Sequence, residues 1–117
     1  MIKLGILGSG SAGNSLVLMH EDGGALLVDA GFSRRETLAR LARLRIAPER
    51  LTGMLLTHEH SDHSRGCRVL CDSLKLPVYT TCGTAEYLLR RGMLPSKVLT
   101  FEPGDNFLVG GFEVRSF

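Results

Sequence analysis

Tryptophan is absent from these 117 residues, and aromatic side chains make up only 6% of them. A core built here must rest mainly on aliphatic side chains. Proline is scarce, at four against fourteen glycines, which favours flexible turns and excludes a proline-rich recognition segment. The three cysteines, Cys67, Cys71 and Cys82, are an odd number without framework spacing, as expected of a reducing, cytoplasmic setting. Cys67 and Cys71 share a helix face at i, i+4, and read as small buried hydrophobes rather than metal ligands. No excess of charge exists either. Fourteen Lys and Arg against twelve Asp and Glu leave +2, too little to imply nucleic acid by itself. No apolar run approaches the roughly 20 residues of a membrane span, so no membrane contact is expected. Gly5 interrupts the short apolar start, which is therefore no secretory signal. Repeats, linkers and low-complexity segments are also lacking. What remains is 44% hydrophobic and 22% charged, the composition of one globular domain at most.

Turn signals divide the chain into strands and helices that mix hairpins with crossovers, an α/β class with a mixed sheet. Strands are expected at Ile2 to Leu7, Ser15 to His20, Ala25 to Asp29, Thr52 to Thr57, Pro77 to Thr80 and Val98 to Phe101. A final hairpin, Phe107 to Val109 and Phe112 to Phe117, turns at Gly110-Gly111. Phe112, Val114 and Ser116 should share one of its faces. Helices are expected at Ser33 to Arg45, Ser64 to Leu74 and Thr84 to Arg91, with Gly92 ending the last. Ser33 and Glu36 have capping-box spacing. Leu38, Leu41 and Leu44 make the buried stripe of that helix, and its five arginines read as a solvated face.

Gly8-Ser9-Gly10-Ser11-Ala12-Gly13 matches a dinucleotide fingerprint, with Asp29 at a suitable distance. A dinucleotide site must open a helix at its last glycine. Here a strand and the turn Asp22-Gly23-Gly24 follow at once, which argues against nicotinamide or flavin.

The chemistry concentrates in His58-Glu59-His60-Ser61-Asp62-His63, three imidazoles and two carboxylates placed directly after the apolar run Met54-Leu55-Leu56. Imidazole nitrogen and carboxylate oxygen are zinc donors. In an extended segment His58, His60 and Asp62 face one way, and His63 joins them if the chain curls into the next helix. Four donors can then surround two ions, two imidazoles on one and Asp62 with His63 on the other. Two such ions can activate a water and polarise a phosphoryl or carbonyl oxygen. Structured apolar flanks distinguish the segment from a solvated histidine-rich loop. His20, beside a hairpin turn, reads as a surface residue.

At these residues the chain resembles the metallo-β-lactamase superfamily, whose H-x-H-x-D-H motif is matched within Thr57 to Gly66. Leu26 to Gly31 (L-L-V-D-A-G) is similar to that family's first motif. Ser9 to Ser15 (S-G-S-A-G-N-S) resembles the bacterial WalJ/YycJ-like branch, although Ala12 stands where that branch more often has serine. The resemblance implies the N-terminal half of an αββα sandwich, with a mixed, mainly antiparallel sheet and flanking helices. It implies His58 and His60 on a first metal and Asp62 and His63 on a second, all four counted as catalytic, with Asp62 also orienting the hydroxide. It places Asp29 in support of the metal loop. The ions would be Zn2+, two per complete site, with Mn2+ or Fe2+ as alternatives. The branch implies a phosphodiesterase or exonuclease acting on DNA. In that setting Ser11, Asn14 and Ser15 could contact phosphates, unless the 9–15 loop is small for steric reasons alone. His60, where the family's redox members typically carry Glu, favours hydrolysis.

Family members carry further metal ligands downstream, and no histidine follows His63 here. Residues 1–117 are therefore expected to be a partial domain, inactive alone, that binds metal weakly and self-associates through an uncovered sandwich face, as a homo-oligomer. Two alternatives remain: an acyl hydrolase for thioesters, lactams or lactones, and a catalytically incomplete metal-binding fragment.

Overall fold

The computed structural model describes residues 2–117. Three antiparallel strands come first: β1 (Ile2–Gly8), β2 (Ser15–His20) and β3 (Ala25–Val28). Helix α1 (Arg34–Arg43) crosses over to β4 (Leu51–Leu55), which lies parallel to β3. Two short helices, α2 (Ser61–Ser64) and α3 (Cys67–Leu74), lead to β5 (Val78–Thr81), and α4 (Cys82–Arg90) leads to β6 (Val98–Phe101). The six strands form one sheet in sequence order. The hairpin of β7 (Asn106–Val109) and β8 (Phe112–Arg115) is a separate two-stranded sheet. Every strand and helix expected from the sequence is found, with the second helix divided in two. The large sheet is mixed: β1–β2 and β2–β3 are antiparallel, while the helical crossovers make β3–β4, β4–β5 and β5–β6 parallel, and the separate hairpin pair β7–β8 is antiparallel.

One face of the large sheet packs against the helices. Val17, Leu27, Met54 and Val78 meet Leu41, Leu70 and Leu88 there, all fully or almost fully buried. The other face receives the hairpin, where Leu26, Val109 and Phe112 are buried together. Phe112 and Val114 point inward and Glu113 and Arg115 outward, the alternation anticipated from the sequence. Beyond the hairpin, Ile2, Leu4 and Ile6 of β1 stay 57–61% exposed. They form the open part of the face expected to drive self-association.

Three local expectations change. Helix α1 is capped as anticipated, Ser33 Oγ accepting from Glu36 N at 3.1 Å, but it ends at Arg43. Leu44 is left 43% exposed, and Thr37 takes its place in the buried stripe. Arg40 is no solvated arginine: it donates to Leu7 O at 2.6 Å and to Glu36 Oε1 at 2.9 Å, and lies 4.0 Å over the Phe32 ring. The expected Ser64–Leu74 helix starts earlier, at Ser61, and breaks at Arg65-Gly66. The break has a steric cause, since Gly66 passes so close to Phe32 that a Cβ there would stand 1.7 Å from Phe32 O. One expectation holds: Ser15 begins β2 directly after the glycine loop, so no helix opens where a dinucleotide would need one.

Candidate metal centre

Parallel strands β3 and β4 end at the same pole, with Val28 opposite Leu55. The chain leaves β3 through Asp29, which takes a left-handed conformation (φ 63°), one that a short polar residue tolerates better than most. That turn sets the Asp29 carboxylate beneath the loop following β4. The carboxylate is buried, with 8% of its side chain exposed. Its Oδ1 accepts from Thr57 N at 2.8 Å, and its Oδ2 accepts from His63 Nδ1 at 2.7 Å. The Thr57 hydroxyl lies 3.0 and 2.8 Å from the two oxygens.

In the neutral form that binds metal, these contacts select the tautomer of two imidazoles. A buried carboxylate accepts, so His63 Nδ1 carries the proton and His63 Nε2 is bare. The single Thr57 hydroxyl proton goes to Asp29. Thr57 Oγ1, 2.9 Å from His58 Nδ1, must then accept from it, leaving His58 Nε2 bare as well. Asp29 thereby orients His63 directly and His58 through Thr57. Support of this kind holds metal-binding imidazoles in place and raises their basicity.

The donors gather above this base. The His58 ring centroid lies 4.0 Å from that of His63 and 4.7 Å from that of His60. His63 Nε2 stands 3.7 Å from Asp62 Oδ2. Two ligands about 2.0–2.1 Å from one tetrahedral ion are roughly 3.3 Å apart, so this pair fits a shared ion with little adjustment. Ligand atoms of Asp29, His58 and His63 also fall within 4.8 Å of one another. Asp29 is nevertheless a poor ligand, because both its oxygens already receive donors. The residue set present fits divalent metal.

Backbone contacts lock three loops around the centre. Asn14 N donates to Asp62 O at 2.7 Å, Gly31 N to Asn14 O at 3.0 Å, and Ala30 N to His63 O at 2.7 Å. Gly31 is required here, since a Cβ would lie 1.9 Å from Asp62 O. Ser64 Oγ closes the turn by donating to Glu59 O at 2.8 Å and His60 O at 3.0 Å.

Two of the residues expected to bind substrate are committed elsewhere. Ser15 is buried and its Oγ donates to Asp29 O at 2.7 Å, so it cannot reach a phosphate. Asn14 Oδ1 accepts from Gly10 N at 3.0 Å, which turns its amide nitrogen toward Asp62 Oδ2 at 3.0 Å. Asn14 is a clamp on Asp62. Ser11 is exposed on the loop. Steric need explains the neighbouring glycines: a Cβ on Gly8 or Gly13 would stand 2.3 or 2.5 Å from the Phe32 ring. Reading the sequence alone missed Thr57 and the clamping role of Asn14. Thr57 had a signal, a hydroxyl immediately before the motif.

The cysteines lie apart from this centre. Cys67 and Cys71 are buried, and the hydrogen bond between them together with burial pushes the Cys71 thiol far up. Cys82 is exposed. Among the described residues no helix is long and apolar enough to cross a membrane.

A family model described as the metallo-beta-lactamase superfamily matches residues 8–115. Among characterised proteins, Exodeoxyribonuclease YycJ of Bacillus anthracis is 38% identical over 120 residues, covering 99% of this chain and 44% of that protein. Exodeoxyribonuclease WalJ of Streptococcus pneumoniae serotype 2 is 36% identical over 119 residues, covering 98% of this chain and 44% of that protein. The chain thus spans less than half the length of either relative. Among solved structures, Rm3 metallo-beta-lactamase superposes with a TM-score of 0.77 at 19% identity, over 94% of this chain and 46% of that one. BLEG-1 B3 metallo-beta-lactamase gives 0.70 at 23% identity, over 98% and 59%.

Proposed function

Because the chain belongs to the metallo-beta-lactamase superfamily, we propose that it carries the first half of a two-metal phosphodiesterase site, acting as an exonuclease on DNA. His58 and His60 hold one ion and Asp62 and His63 the other, with zinc as the preferred metal and manganese or iron compatible with the same donors. When bound, such a pair supplies an acidified water and a polarised phosphoryl oxygen. The observation that carries this reading is His63 Nε2 facing Asp62 Oδ2 across 3.7 Å, with His63 Nδ1 already held by Asp29. The relatives named exodeoxyribonucleases, at 36–38% identity, support DNA as substrate. The lactamase structures, at 19–23% identity, speak for the fold only.

The chain's own side chains have distinct tasks. Asp29 keeps His63 and, through Thr57, His58 in the tautomer that presents Nε2. Asn14 holds Asp62 Oδ2, so the carboxylate meets its ion in a fixed rotamer and orients the attacking water. Ser11, exposed at the tip of the glycine loop, remains available to a phosphate oxygen. Self-association through the exposed Ile2, Leu4 and Ile6 strip belongs to the same proposal.

The test is hydrolysis by the protein at its full natural length, against a panel of single-stranded DNA, a lactam and a thioester. DNA cleavage that vanishes in Asp62→Ala is the expected result. Turnover of the acyl substrates alone would replace the nuclease reading with acyl hydrolysis, and unchanged cleavage by Asp62→Ala would remove Asp62 from the site.

A further inference from the structure

A cleft of about 560 Å3 joins the metal loop to helix α4. His60 and Asp62 line one side, and Tyr87, Leu88, Arg91 and Met93 line the other. Tyr87 is 40% exposed. The guanidinium of Arg91 lies 4.2 Å from the Tyr87 ring centroid, stacked over it. Arg91 caps the C-terminal end of α4 and, among the described residues, no carboxylate pairs with it. Its neighbour Arg90 is different, being paired with Glu86 four residues earlier.

We propose that Tyr87 and Arg91 form a nucleotide subsite beside the metal centre, in which the aromatic–guanidinium stack receives an unpaired base and Arg91 a backbone phosphate of a single-stranded nucleic acid end. The inference rests on the phosphodiesterase reading and names where its substrate lies. The two carboxylates lining the cleft, Glu59 and Asp62, come from the metal loop, and its one guanidinium, that of Arg91, comes from the C-terminal end of α4. An anionic strand laid along the cleft therefore has its scissile phosphate at His60 and Asp62 and its next nucleotide against α4. A stacked Arg and Tyr offer a flat π surface with charge at its edge, the combination that binds single strands without reading their sequence. The apolar Leu88 and Met93 give the base a dry floor. A cavity of similar size at the opposite pole, about 540 Å3, carries Lys3, Arg45 and Arg50 but no residue of the metal loop.

Binding and chemistry separate the possibilities. Fluorescence anisotropy of a labelled single-stranded oligodeoxynucleotide should show about tenfold weaker binding for Tyr87→Ala, with Tyr87→Phe close to the parent. Arg91→Ala should weaken binding similarly and lower the slope of log K against log salt by roughly 0.7, one phosphate contact on a single strand. Arg91→Lys should keep the slope and lose part of the affinity. In the protein at its full natural length, hydrolysis of bis(p-nitrophenyl) phosphate, which offers α4 neither a base nor a second phosphate, should be close to the same in all variants. Oligonucleotide affinity unchanged in Tyr87→Ala and Arg91→Ala, while the small ester is still cleaved, would overturn the subsite and leave the hydrolase intact. Failure of the parent protein both to bind the strand and to cleave the ester would overturn the hydrolase and the subsite together.

Discussion

The side-chain amide of Asn14 donates to Asp62 Oδ2 at 3.0 Å, while its oxygen accepts from Gly10 N at 3.0 Å. A glycine-rich loop that looks built for phosphate thus spends its one amide side chain on a metal-loop carboxylate. Replacing Asn14 with Ala should weaken metal binding at Asp62 and His63 by about ten- to a hundredfold, the usual effect of losing such support. Titration against a chelating dye reads the affinity directly. Intact metal affinity accompanied by a raised KM would return Asn14 to the role of a substrate contact.

Asp29 is the base on which two histidines rest. In Asp29→Ala the Thr57 N–H and hydroxyl and His63 Nδ1 lose the carboxylate they share, and hydrogen bonds to a charged group are worth about 1.5–3 kcal/mol. Urea denaturation should show that loss even without metal. Metal affinity should fall in parallel, because both imidazoles become free to rotate. Stability equal to the parent would mean that the carboxylate does not organise the loop.

The glycines offer a test in which opposite signs are expected. Gly31→Ala and Gly66→Ala place a Cβ 1.9 Å and 1.7 Å from the carbonyl oxygens of Asp62 and Phe32. Backbone cannot yield as a side-chain tip can, so each should cost about 3 kcal/mol or more, or prevent folding. Gly83 lies inside α4 with nothing within 4 Å of its Cβ position. Gly83→Ala should therefore stabilise by about 0.5–1 kcal/mol. Thermal melts of the three variants check both signs at once.

The thiols should divide one against two. A thiol reagent added to the native protein should modify Cys82, exposed at the start of α4, and leave the buried Cys67 and Cys71 untouched until denaturant is added. Raising the pH should not release Cys71 in the native state, since its hydrogen bond with Cys67 and its burial hold the thiol protonated. Rapid modification of more than one thiol under native conditions would contradict the packing of α3 against the sheet.

Much of this was legible before any coordinates. Strand β2 and strand β6 occur at their expected bounds, and the hairpin faces follow alternation alone, because period-two patterns and glycine turns are local signals. The metal motif was legible because its donors are contiguous. What stayed hidden depends on contacts between distant segments. Gly66 breaks the helix only because Phe32 passes beside it. Leu44 is exposed because α1 stops one residue earlier. Asn14 meets Asp62 across 48 residues of sequence, and Tyr87 joins the site only once α4 has folded beside the loop. Spacing along the chain carries none of those meetings.

The central claim is that His58, His60, Asp62 and His63 grip divalent ions while Asp29 stands behind them. Anomalous diffraction from zinc-loaded crystals of the protein tests it most directly. The account expects peaks about 2.0–2.2 Å from the ligand atoms of His58 and His60 and of Asp62 and His63, with the Asp29 carboxylate still on His63 Nδ1. Zinc bound elsewhere on the surface, or Asp29 itself ligating while His63 swings away, would contradict it.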